Sequence, residues 1–203
     1  MKAMAPTAFN PDWDAFVENP AVHADASQLA ACFGGAIAVQ GCQFMLETPR
    51  LARRLSALLS SHFGLAPLGD DVADEDRRIA LAPKREIEAL AMRAGAICWS
   101  GSLAGAIGKE KVSAIYHQIG EELFAFALAN RDLAPPPRPL EPVETIAARM
   151  HDDGWRCIAA WCETVSEPVS AWMKLKVPDN VDLDAEPMTG GAGIVRRASE
   201  AAR

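Results

Sequence analysis

Basic clusters, aromatic rings and closely spaced metal ligands are what this 203-residue chain has little of. Aromatics make up 6% of it, with a single tyrosine, Tyr116, so the apolar half of the chain is mainly Ala, Leu, Ile and Val. Ala and Leu lead the helix-propensity ranking, which favours a helical core. The formal net charge is −7 with no basic stripe, and such a surface gains little from phosphate contacts, so nucleic acid is not an expected partner. Five cysteines, Cys32, Cys42, Cys98, Cys157 and Cys162, form an odd set without CxxC spacing, which argues against a disulfide framework or a zinc ribbon. They read as reduced thiols packed like small hydrophobes. The first twelve residues carry one lysine and no apolar core, so no secretory signal is expected.

Motifs for chemistry are equally scarce. The histidines His23, His62, His117 and His151 are far apart, with no HExxH arrangement. Asp70 to Asp76 is acidic enough to suggest calcium but lacks the glycine and the final glutamate of an EF-hand loop. Gly108-Lys109-Glu110 superficially resembles a phosphate loop, yet Leu103 stands where the first glycine is needed and Glu110 where a hydroxyl is needed. The Gly-rich stretch Thr189 to Gly193 has no strand before it and too little chain after it for a dinucleotide fold. No GxSxG elbow or kinase signature occurs. Glu121/Glu122 and Asp152/Asp153 are adjacent pairs, which a helix points in different directions instead of onto one substrate. The expected tally is therefore no catalytic residue, no cofactor and no metal.

What is present is helical periodicity. Met1 to Ala24, with Pro6, Pro11 and Pro20, reads as an extended arm. Asp25 caps a helix carrying Leu29, Phe33 and Ile37 and ending near Gly41. This uncharged run from Ala26 to Leu46 matches the roughly 20 residues of a membrane span, but polar Gln28, Gln40 and Gln43 and three glycines favour a buried helix instead. Thr48 and Pro49 open a helix striped with Leu51, Leu55, Leu58 and Leu59 that Gly64 closes. Residues 65–83 lose the pattern and read as a polar linker. Two long helices follow, from Lys84 and from Lys109 to Ala129, then the proline-rich hinge Ala134 to Pro142. A third begins at Pro142 with Ile146, Met150, Cys157, Ile158 and Trp161 on one face, and Ser166 and Pro168 start a last one carrying Val169, Trp172 and Leu175.

The expected fold is all-α: a single mostly helical domain over 1–178 of about six to eight helices, with residues 179–203 a flexible tail. Arg196 to Ser199 resembles a basophilic phosphorylation site within that tail, where substitution is expected to leave unfolding unchanged. Trp99, Trp155, Trp161 and Trp172 read as core, although Trp155 lies off the main stripe and also suits an interface. Partner contacts are expected at the charged stretch Asp74, Glu75, Asp76, Arg77 and Arg78, at Trp155, and along the exposed side of the helix after Gly154.

Glu88 to Ile97, Gly120 to Leu128 and above all Gly154 to Pro178, ending Trp-Met-Lys-Leu-Lys-Val-Pro, resemble the SctK (YscK) family of type III secretion accessory proteins. Phe9-Asn10-Pro11 is similar to that family's start, whereas Gly34 to Pro83 departs from it. The resemblance implies a cytoplasmic, non-enzymatic adaptor of the sorting platform, peripheral at the inner membrane. It would bridge an SctD-like ring protein to an SctQ-like pod protein, near an SctL-like stator. Two other readings stay open: a helical enzyme or small-molecule binder with a dispersed site, and an amphipathic-helix coat protein.

Overall fold

The computed structural model describes residues 17–68, 71–183 and 185–200; the arm expected at the N-terminus lies largely outside them. Among these residues there are ten α-helices and no strand, so the all-α expectation holds with more helices than foreseen. They are α1 (Ala26–Cys32), α2 (Val39–Leu46), α3 (Ala52–Phe63), α4 (Asp74–Leu81), α5 (Lys84–Ala104), α6 (Lys109–Ile119), α7 (Glu121–Ala129), α8 (Ile146–Thr164), α9 (Glu167–Lys174) and α10 (Gly191–Glu200). No helix of the described residues is long and apolar enough to cross a membrane.

Glycine accounts for two of the extra helices. The helix capped by Asp25, whose carboxylate accepts from Ser27 N at 2.8 Å, stops at Cys32 because Gly34 and Gly35 turn left-handed. Helix α2 then restarts at Val39. The helix expected over Lys109 to Ala129 is likewise cut at Gly120, with φ 81° and ψ 154°, into α6 and α7. Gly64 closes α3 in the left-handed conformation as read, but Thr48 does not cap it: its hydroxyl donates back to Phe44 O, and a 3-10 turn over Pro49–Leu51 leads in.

The core is the crossing of α5 and α8, the two longest helices, and glycine sets their separation. A Cβ on Gly95 would lie 1.7 Å from Met150 O, and one on Gly154 1.8 Å from Ala91 O. Each helix thus lays its backbone on the other's glycine. Close approach brings Ile87, Leu90, Ala94 and Ile97 against Met150, Cys157, Ile158 and Trp161, all buried. Cys98 and Cys157 meet across this crossing, Sγ to Sγ 3.3 Å, and the shared hydrogen bond and burial push the Cys157 thiol far up, so it stays protonated. Helix α7 packs on α5, and α9 packs on α4.

Two segments differ from expectation. The linker read over 65–83 contains α4, whose Ile79, Ala80 and Leu81 are buried. Its acidic first turn, Asp74, Glu75 and Asp76, suits the positive end of the helix dipole, with Arg78 in the last turn. The flexible tail read over 179–203 contains α10, which lays Ile194, Val195 and Ala198 on α8, α5 and α4. Gly191 admits it, since a Cβ there would stand 2.8 Å from Cys157 Cα.

The N-terminal helices are bolted to residues 175–179. Asp25 N donates to Leu175 O, Gln28 Nε2 to Val177 O and Asp179 N to Ser27 Oγ. Lys84 pairs with the Asp25 carboxylate.

Candidate functional site

Of the charged stretch expected to meet partners, the centre is turned inward. Asp76 is buried and accepts from Trp161 Nε1 at 2.7 Å and from Arg196 through both oxygens, at 2.9 and 3.0 Å. Burial works to raise its pKa, but the Arg196 and Trp161 hydrogen bonds outweigh burial and hold it below the usual carboxylate range. Arg77 is also buried, Glu75 is half-buried within 3.5 Å of Arg196, and only Asp74 and Arg78 are exposed. Trp155 is 4% exposed and donates to His151 Nε2 at 3.1 Å, so its indole serves the chain's own packing. The stretch is a structural clamp between α4, α8 and α10, and Arg196, read as a tail residue, is part of it.

Two further polar clusters were not foreseen. Asp153, half of an adjacent pair read as pointing in different directions, is buried and accepts from Trp99 Nε1 at 2.8 Å, Arg138 Nη2 at 2.7 Å and Arg156 Nη1 at 3.3 Å. The guanidinium carbons of Arg138 and Arg149 sit 4.1 and 4.5 Å from the Trp99 ring centroid, and Arg149 also donates to Pro139 O and Leu140 O. These arginines fasten the proline-rich hinge to the core. The second cluster is Lys176, fully buried, whose ammonium donates to Ala80 O and Ala82 O at the end of α4. Burial brings its pKa down to about 7, and burial with the neighbouring Lys176 charge takes His23 down to about 4. No sequence pattern announces either cluster, because their members come from distant parts of the chain.

An open groove of about 510 Å³ lies over the hinge, lined by Gly101, Arg131, Ala134, Pro135, Pro136 and Pro137, and Arg131 is the one charged side chain in it. No group of three or more His, Cys, Asp or Glu stands ready for a metal among the described residues.

The exposed apolar side chains are the other candidates. On α2, Phe44 is 72% and Val39 48% exposed, beside the small exposed residues Ala31, Gly34, Gly35, Ala36 and Ala38. On the loop before α6, Ile107 is 89% exposed, and Tyr116 and Leu128 are partly exposed on the α6–α7 hairpin. Helix α2 packs on α1 and the 49–51 turn, whereas α6 packs on α7, α8 and the 143–145 turn. Large apolar side chains are thus exposed at three places among the described residues: Val22 in the 20–22 turn at 65%, Val39 and Phe44 on α2, and Ile107, Tyr116 and Leu128 on and before the α6–α7 hairpin. No protein-family model, curated protein or solved structure matches the chain.

Proposed function

We propose that this chain is a non-enzymatic adaptor that holds two protein partners at once. The observation that carries the reading is that exposed apolar side chains stand on two elements with no common packing partner, Phe44 and Val39 on α2 and Tyr116 on α6, with Ile107 just before it and Leu128 on α7, all mounted on one core. Large exposed apolar side chains supply anchors that a partner can desolvate, and a bridge needs two such places. The Asp76–Arg196 and Asp153–arginine clusters keep the mount rigid between them.

The likeness of Glu88 to Pro178 to the SctK family names the partners within this proposal: an SctD-like ring domain at the inner membrane and an SctQ-like pod protein, with an SctL-like stator adjacent. The test is recovery of both partners with the tagged chain from its native cell, with effector export measured in a deletion strain. Phe44→Asp should lose one partner and Ile107→Asp the other, with helix content unchanged. Normal export in the deletion strain, with neither partner recovered, would sink the secretion reading. Loss of both partners by either single change would sink the two-face reading.

A further inference from the structure

The crossing of α5 and α8 holds a pair of groups that the adaptor reading does not use. Cys98 and Cys157 are both buried and free, and their sulfurs meet at 3.3 Å although 59 positions separate them in the chain. Each stands three residues past the glycine at which its helix is crossed, Gly95 on α5 and Gly154 on α8. Those glycines bring the two backbones into contact, and the cysteines follow almost one turn later on facing sides. The other thiols are placed differently. Cys32 and Cys42 turn to the carbonyls of Gln28 and Ile37, at 3.3 and 3.9 Å, and Cys162 is half-buried near the end of α8.

We propose that Cys98 and Cys157 are an oxidisable dithiol, a modification site whose product is a disulfide stapling α5 to α8. The oxidant it takes is hydrogen peroxide, small enough to reach the pair through local openings of the core that would stop a peptide disulfide. First, one thiol sulfur attacks a peroxide oxygen, the O–O bond breaks, and a sulfenic acid and one water form. The other sulfur, already in contact, then attacks the sulfenyl sulfur. An S–S bond forms, the S–O bond breaks, and the remaining thiol proton leaves with the hydroxyl as a second water. The two thiols thus give up two electrons and two protons, and the peroxide is reduced to water. Burial and the shared hydrogen bond keep Cys157 protonated, so the first step is slow. The second has its partner in place and outruns further oxidation to sulfinic acid. The link closes a loop that carries α6, α7 and the proline-rich hinge, and closing so long a loop narrows the unfolded ensemble.

The test is treatment of the purified, reduced full chain with hydrogen peroxide under native conditions, followed by thiol blocking in denaturant and peptide mapping by mass spectrometry. A peptide crosslinked through Cys98 and Cys157 should appear, lighter by two hydrogens and reversed by dithiothreitol. The oxidised chain should melt at least about 5 °C above the reduced one. Cys98→Ser should abolish both the link and the shift. Should that variant fail to fold, the mapped link and the Tm of the wild type decide alone. Cys98 and Cys157 both recovered as free thiols after Cys32 and Cys162 have been oxidised would overturn the proposal. So would a crosslink joining a different pair, a Cys98–Cys157 link that forms only in denaturant, or one that leaves Tm unchanged or lower. The pull-downs that test the adaptor reading are independent of every one of these results.

Discussion

Asp76 shows how much one side chain can hold. It joins α4 to the Trp161 indole on α8 and to the Arg196 guanidinium on α10, three elements that share no local sequence. Asp76→Ala leaves a buried indole N–H without an acceptor and removes the carboxylate from a guanidinium still partly open to water, so the cost should be about 2 kcal/mol. Arg196→Ala should lower Tm as well, contrary to what its place near the chain end suggests, and chemical denaturation of both variants checks this. Lys176 and His23 make the pH response. In each the folded pKa, about 7 and about 4, lies below the ordinary value of 10.5 and 6.5, so the unfolded chain binds more protons within each window. Stability should therefore climb from pH 4 to 6.5 through His23 and again from pH 7 toward 9 through Lys176, above which the thiols that burial holds protonated, Cys162 pushed up to about 12 among them, work against it. Asp25 and Asp76, held below the ordinary carboxylate value, add a loss as pH falls through their folded values. Calorimetric Tm against pH should show the alkaline rise in the wild type and not in Lys176→Met.

Among the helices, α5 and α8 were the most legible, because their apolar stripes run long enough for the period to stand out. The short ones were hidden for different reasons. Helix α4 spends its first turn on three acids and shows only Ile79 to Leu81 as apolar signal, and α10 opens on glycines that read as a loop. Those glycines are there for contact, since Gly191 sits against Cys157 Cα. Nothing in the spacing shows that Gly95 on α5 and Gly154 on α8 answer each other across the crossing. Gly95→Ala and Gly154→Ala should each cost about 3 kcal/mol, since backbone carbonyls rather than flexible side chains block the new methyl. Gly193→Ala on α10, which meets nothing within 4 Å, should be neutral or stabilising, and thermal melts of the three variants together test the crossing. The candidate faces were scarcely legible: periodicity locates stripes that pack, and Phe44 and Ile107 stand out only once the packing leaves them uncovered.

For the molecule as a whole, one core connects every part from α1 to α10. Ending the chain at Gly190 should expose the faces of α8, α5 and α4 that Ile194, Val195 and Ala198 cover, and proteolysis should then attack α4 before α5. The bolts between the N-terminal helices and residues 175–179 set an order in time. Gln28 and Val177 are 149 residues apart, so α1 has no seat until most of the chain has been synthesised. At elongation rates of about 5–20 residues per second that is a wait of roughly 7–30 s, during which Asp25, Ser27 and Gln28 lack their partners at Leu175, Asp179 and Val177. A nascent chain in that state is a substrate for chaperones, and a message truncated before Leu175 would yield a product whose first helices never find their place.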